Sequence, residues 1–125
     1  ADTRILLAED NIINQRIISA LIQKTNLVMD IVSDGSEAVH AVRSNSYSLV
    51  LMDVQMPVMD GLTATRLIRE EFQMKKLPII AMTANAMKGD REKCMSAGMN
   101  DYLSKPINPN ELFALFEHWI LDHAL

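Results

Sequence analysis

Leu49-Val50-Leu51-Met52-Asp53, followed by the loop Gln55-Met56-Pro57-Val58-Met59-Asp60-Gly61, is the stretch that decides the architecture. Four consecutive apolar residues are too few for a helix and too continuous for a strand with one wet face. They read as a strand buried on both sides. The run stops at an acid, and Pro57 and Asp60-Gly61 punctuate the loop. Beyond it Leu62, Thr65, Leu67 and Ile68 recur at helical spacing to about Phe72. The unit is thus a buried strand, a polar strand end and a helix.

Working outward, the same unit recurs. Residues 5–8 form an apolar run stopped by Glu9-Asp10-Asn11. A helix is expected over residues 12–24, where Ile13, Ile17 and Leu21 repeat at i+4 with Ile18 and Ile22 alongside. Residues 28–32 read as a second strand, with Asp30 at a partly exposed position. Asp34-Gly35 reads as a turn, after which Ser36 opens a short helix faced by Val39 and Val42. Residues 78–82 make a fourth strand ending at Thr83, and a weaker helix over 87–97 is closed by Gly98. Asp101-Tyr102-Leu103 is a short fifth strand, trailed by Lys105-Pro106. The last helix starts with Asn108 as N-cap, Pro109 at N1 and Glu111 at N3, and its inner face carries Leu112, Leu115, Phe116, Trp119 and Ile120. Five strand–helix units imply a doubly wound α/β domain with a parallel sheet covered on both faces, occupying residues 1–125.

Composition narrows the function. Sixteen acids against 12 bases give a net charge of −4, which offers no basic footprint for nucleic acid. Cys94 is the one cysteine, so an internal disulfide is excluded and a reducing compartment fits. No apolar run approaches the ~20 residues that span a bilayer, and the N-terminus does not read as a signal peptide. The expectation is a cytoplasmic domain without direct membrane contact.

The strand ends carry the chemistry. Glu9 and Asp10 end the first, Asp53 the third, Thr83 the fourth, and Lys105 follows the fifth. Carboxyl ends of parallel strands line the crevice where open α/β sheets bind ligands, so these side chains should converge. Singly, each has a plainer reading: a solvated loop acid, a helix-start acid pair, a strand hydroxyl, a surface lysine. Together they would require a coincidence. Carboxylates about 4 Å apart repel by a few kcal/mol at an effective dielectric near 20, so a compensating hard cation is expected. Mg²⁺, with Mn²⁺ as the alternative, takes one or two carboxylates, waters and a substrate phosphate. A carboxylate beside it can attack a phosphoryl group, giving an aspartyl-phosphate. Lys105 would neutralise phosphoryl oxygens and the Thr83 hydroxyl could donate to them.

Glu9-Asp10-Asn11, the segment from Met52 to Gly61, Thr83-Ala84-Asn85-Ala86 and Lys105-Pro106 resemble the receiver domain of two-component response regulators, in order and spacing, over essentially the whole chain. The resemblance implies the flavodoxin-like strand order 2-1-3-4-5, which the family itself exemplifies. It implies Asp53 as phosphoacceptor from a phosphohistidine, and Asp10 and Asp53 as direct Mg²⁺ ligands. Glu9 would act through water, with the Gln55 backbone carbonyl completing the protein's share. Thr83 and Lys105 match the switch hydroxyl and the phosphate-pairing lysine, and Tyr102 the aromatic that turns inward. The Lys105–Pro106 bond is expected to be cis. The wording of residues 9–15, 53–61 and 82–86 is most similar to receivers of hybrid sensor histidine kinases. A histidine kinase dimerisation domain and a histidine phosphotransfer protein are therefore the implied partners. The domain itself would be a phosphoryl-accepting switch with at most weak self-dephosphorylation.

Rival chemistries fare worse. A dehalogenase-type phosphatase needs a second acid two residues beyond the nucleophile, where Gln55 can neither donate nor accept the catalytic proton. A flavin-phosphate loop after the first strand would be repelled by Glu9-Asp10. A stand-alone single-domain regulator and a phosphorylation-silent interaction module share these residues and remain alternatives. His40, His118 and His123 lack metal spacing and read as surface or packing residues, and Cys94 has no redox role. Met87, Met95 and Met99 read first as packing, with an adaptable contact surface as the other use.

Overall fold

The computed structural model describes residues 3–71, 77–84 and 88–121. In chain order these form β1 (Arg4–Ala8), α1 (Ile12–Ile22), β2 (Val28–Val32), α2 (Gly35–Ser44), β3 (Leu49–Asp53), α3 (Gly61–Glu71), β4 (Ile79–Thr83), α4 (Lys88–Ala97), β5 (Asp101–Ser104) and α5 (Pro109–Phe116). The strands make one parallel sheet in the order β2-β1-β3-β4-β5, the order expected.

Continuous apolar strands follow from this layering. Alternate residues of β1, β3 and β4 feed opposite cores. Leu6, Ala8, Val50, Met52, Ile79 and Ala81 pack with Val42, Ile68 and Cys94 on the side of α2, α3 and α4. Ile5, Leu7, Leu49, Leu51, Ile80 and Met82 pack with Ile18, Leu112 and Phe116 on the side of α1 and α5. Every residue of β3 and β4 is buried, Asp53 and Thr83 included. Each fully buried Leu or Ile contributes about 1.5–3 kcal/mol, so the sheet centre is the stable platform on which the strand ends stand.

Local signals fix the helix starts. Asn108 accepts from the Asn110 and Glu111 amides, with Pro109 in the first turn as the sequence predicts. Asp34 caps α2 by accepting from the Glu37 amide at 2.8 Å, and Glu37 returns to the Ser33 amide at 2.7 Å. The expected turn at Asp34-Gly35 is thus the beginning of the helix. Gly98 ends α4 at φ +109°, a backbone region that glycine enters without strain. Lys105–Pro106 is cis, as the resemblance implies.

Several expectations need correction. Helix α1 stops at Ile22 rather than residue 24, and it buries Ile18 and Ile22, while Ile12, Ile13 and Ile17 stand 60%, 67% and 47% exposed. Two apolar stripes on α1 satisfy the helical period, and the sheet takes the one through Ile18. The final helix does not run on as regular α: Glu117–Leu121 forms a π-helical turn. Met99 is buried and Met95 half-exposed, and His40 and His118 are exposed, the latter edge-on to Trp119 at 4.9 Å between ring centroids. The expected positions of Phe72, Met87 and His123 lie outside the described residues. Among the described residues no helix is long and apolar enough to cross a membrane.

Candidate functional site

β1, β3 and β4 end side by side, which brings their polar termini to one mouth. The register pairs Ala8 with Met52 and Asp53 with Met82, so Glu9 and Asp10 emerge next to Asp53 and one strand from Thr83. Lys105 follows β5 and is tied in by its amide, which donates to the Thr83 carbonyl at 2.8 Å. The result is a cleft of about 670 Å³ whose walls include Asp10, Asp53, Gln55, Thr83 and Lys105. Carboxylate oxygens of Glu9, Asp10 and Asp53 all lie within 4.8 Å of one another. The Lys105 ammonium stands 2.8 Å from Glu9 Oε1 and 3.0 Å from Asp53 Oδ2. The Gln55 amide donates to Asp53 Oδ1 at 3.1 Å.

Electrostatics sets the character of this cluster. Glu9 is wholly buried, and its Oε1 is ion-paired with the Lys105 ammonium at 2.8 Å. Burial pushes Glu9 up, but its contacts with Asp53 and Lys105 and the lysine charge bring it below the usual value. Asp53 is pushed up to about 7, first by burial and then by the neighbouring Glu9, against the pull of Lys105. Glu9 and Asp53 therefore titrate as a pair, with Asp53 the more readily protonated partner. Burial works against the Lys105 charge, but Glu9 and Asp53 outweigh it and hold its pKa above the ordinary value. Three acids against one lysine leave an excess of negative charge. Glu9 Oε2, buried with no directed hydrogen bond among the described residues, beside the exposed Asp10 suits a hard cation with oxygen ligands.

The loop after β3 is tightly built. Gly61 must be glycine, because a Cβ there would sit 2.1 Å from the Asp53 carbonyl oxygen. The Met59 amide donates to the Pro57 carbonyl at 2.7 Å across Val58, whose φ of 67° is strained for a β-branched residue. Val58 is 86% exposed at the tip of this turn.

Six of the seven residues singled out in the sequence meet at the cleft: Glu9, Asp10, Asp53, Gln55, Thr83 and Lys105. Tyr102 lies elsewhere, half-buried on β5. There Arg91 of α4 donates to its hydroxyl, and the guanidinium stands 5.0 Å from the ring centroid. Sequence reasoning missed Arg91, the Gly61 contact, and Gln15, whose side-chain amide reaches the Glu9 carbonyl at 2.6 Å. Gln15 and Gly61 lie within the stretches that carry the resemblance, but their contacts, like that of Arg91, join separate elements or turns and are not legible locally.

A doubly wound α/β domain with clustered acids and a lysine at its strand ends defines a class, and comparison with known proteins identifies the family. The profile described as response regulator receiver domain matches residues 5–117, and the chain belongs to that family. Hybrid signal transduction histidine kinase I of Dictyostelium discoideum is 44% identical across 96% of this chain, which spans 7% of the kinase. The BarA histidine-protein kinase of Escherichia coli K12 is 39% identical across 89% of the chain and 12% of the kinase. The chain thus spans a small part of the curated relatives it matches. Among solved structures, the receiver domain of the sensor histidine kinase PA1611 of Pseudomonas aeruginosa, with a magnesium ion in its active site cleft, is 46% identical. Its TM-score is 0.88, with 96% of this chain and 98% of that one covered. A co-crystal of the Saccharomyces cerevisiae phosphotransfer protein Ypd1 with the receiver domain of Ssk1 gives a TM-score of 0.93 at 30% identity, covering 99% and 92%.

Proposed function

We propose that this receiver accepts a phosphoryl group on Asp53 from a phosphohistidine, with Mg²⁺ held by the carboxylates of Asp10 and Asp53, by Glu9 through water and by the Gln55 backbone carbonyl. The observation that carries this reading is the cluster of three carboxylates within 4.8 Å with one ammonium touching two of them. Bound Mg²⁺ supplies positive charge for the phosphoryl oxygens. Asp53 Oδ forms the new bond to phosphorus as the phosphorus–nitrogen bond of the donor breaks. The bonding electrons return to the imidazole, which takes a proton from water. Lys105, released from Asp53, pairs with the phosphoryl oxygens, and the Thr83 hydroxyl donates to them.

Phosphorylation replaces the single negative charge of the Asp53 carboxylate with about two, large enough to redraw contacts around Thr83 and β5. Tyr102 then leaves Arg91 and turns inward, altering the α4–β5–α5 face. The donor docks on α1, where Ile12, Ile13 and Ile17 present an apolar surface beside Asn11 and Asn14 at the cleft rim. A helical phosphotransfer domain fits this face; that a receiver of similar structure forms a complex with the phosphotransfer protein Ypd1 supports the class of partner. The likeness to hybrid signal transduction histidine kinases of Dictyostelium discoideum supports a hybrid histidine kinase as the parent, with residues 1–125 acting as its receiver unit.

The test is intact mass after incubation with Mg²⁺ and a small acyl phosphate, with and without chelator, beside Asp53→Ala. A metal-dependent gain of one phosphoryl group that vanishes in the variant is expected. An unlabelled wild type would leave a silent interaction module, or a receiver that accepts only from its own partner, as the reading.

A further inference from the structure

We propose that Gln15 is a positioning residue for the acid pair Glu9-Asp10, acting through the peptide that joins them; the inference rests on the divalent-cation reading of the cleft. Consecutive residues of an extended chain send their side chains to opposite sides. Glu9 and Asp10 nevertheless both deliver an oxygen to one cluster spanning 4.8 Å. Convergence requires their connecting peptide to be turned out of strand geometry, and this happens just where β1 has ended at Ala8 and α1 has not yet begun at Ile12.

That turn is fastened on both sides. The Glu9 amide donates to the Val32 carbonyl of β2 at 3.0 Å. The Glu9 carbonyl, which belongs to the Glu9–Asp10 peptide itself, accepts from Gln15 Nε2 at 2.6 Å. Gln15 is in turn anchored by its own amide, which donates to the Asn11 carbonyl at 3.0 Å in the first turn of α1. The Asn11 side chain accepts from the Asn14 amide at 3.1 Å and caps the same turn. Neither helix formation nor strand pairing needs the Gln15 side chain to reach back six residues. Its effect is to set the rotation of the peptide plane from which Asp10 departs. An aliphatic side chain or an ionised acid at position 15 has no proton to offer that carbonyl.

Groups that orient metal ligands typically account for 10–100-fold of metal affinity, and one acting through the backbone belongs near about tenfold. The test is a titration of the ¹⁵N-labelled 125-residue chain with MgCl₂, followed by amide shifts, for wild type, Gln15→Met and Gln15→Glu. Melting temperatures in EDTA are measured alongside. Gln15→Met keeps length and helix propensity but removes the donor. The expected result is a Kd about tenfold above wild type, a displaced Asp10 amide resonance without metal, and a chelator melting temperature within about 2 °C of wild type. Gln15→Glu separates geometry from charge. An added negative charge alone would tighten Mg²⁺, whereas loss of the donor weakens it, and weaker binding is expected.

A Gln15→Met Kd within about twofold of wild type, or a Gln15→Glu protein that binds more tightly, overturns the inference. A Gln15→Met protein melting more than about 6 °C lower in chelator marks the bond as structural and overturns it equally. Wild type that takes up no Mg²⁺ overturns the cation reading instead, so the two failures are distinct.

Discussion

Replacing Asp53 by Asn removes one charge from the acid cluster and should stabilise the metal-free protein while abolishing phosphorylation. Asp53 is 4% exposed, and its carboxyl is raised from 3.8 to about 7 by burial and by Glu9. For an acid raised in the folded state, the native protein binds more protons between those two values. Stability therefore falls as pH rises through that window, and the full penalty is present above pH 7. The gap from 3.8 to about 7 corresponds to roughly 4 kcal/mol at pH 8. Two terms reduce it, the pull of Lys105 being already contained in that value: the lowered Glu9 returns part of the cost, and the buried Asn amide must itself be desolvated. A net gain of about 1–2 kcal/mol remains, equivalent to about 4–8 °C in a domain of this size. Thermal melts by circular dichroism in EDTA at pH 8 should show that rise, shrinking as the pH is lowered towards 4. With Mg²⁺ at ten times its Kd, wild type should recover about 1.4 kcal/mol. An Asp53→Asn protein that melts at or below wild type at pH 8 in chelator would refute the crowded-acid reasoning.

Lys105→Ala leaves three acids without their cation. It should cost about 3 kcal/mol in chelator at neutral pH and regain most of that with Mg²⁺, read by urea unfolding with and without metal. Gly61→Ala forces a methyl to within 2.1 Å of the Asp53 carbonyl oxygen. A loss of more than about 2 kcal/mol in urea unfolding is expected, together with slower acyl-phosphate labelling, because the backbone carrying Asp53 must shift. Ile13→Ser and Ile17→Ser lie on the exposed side of α1. They should change stability by no more than about 0.5 kcal/mol yet slow phosphotransfer from a phosphohistidine domain about tenfold or more, leaving labelling by a small acyl phosphate unchanged. Equal slowing of both donors would refute the docking surface.

The sheet was legible because buried parallel strands leave an unmistakable trace. Four or five apolar residues in a row, each run stopped by Glu9, Asp53 or Thr83, predict both the strands and the end at which they open. The helix starts at Asn11, Asp34 and Asn108 follow from side-chain oxygens that accept from amides three residues on or fewer, a local event. Even there the reading slipped, since Asp34-Gly35 carries the letters of a turn as well as those of a cap.

Residue types and order thus determined the fold, the mouth and the chemical class of the site: short-range patterning sets burial, and parallel topology sends every strand end to one edge. Only the packed structure decided which stripe of α1 faces the sheet, because Ile17 and Ile18 satisfy the helical period equally and the choice depends on what Leu7 and Leu112 leave to be filled. Only it placed the Lys105 ammonium between Glu9 and Asp53, turned Tyr102 towards Arg91, and set Gln15 against the Glu9 carbonyl. Those contacts join groups on different elements or reach back across the β1–α1 turn. Their distances are fixed when the two cores close around the sheet.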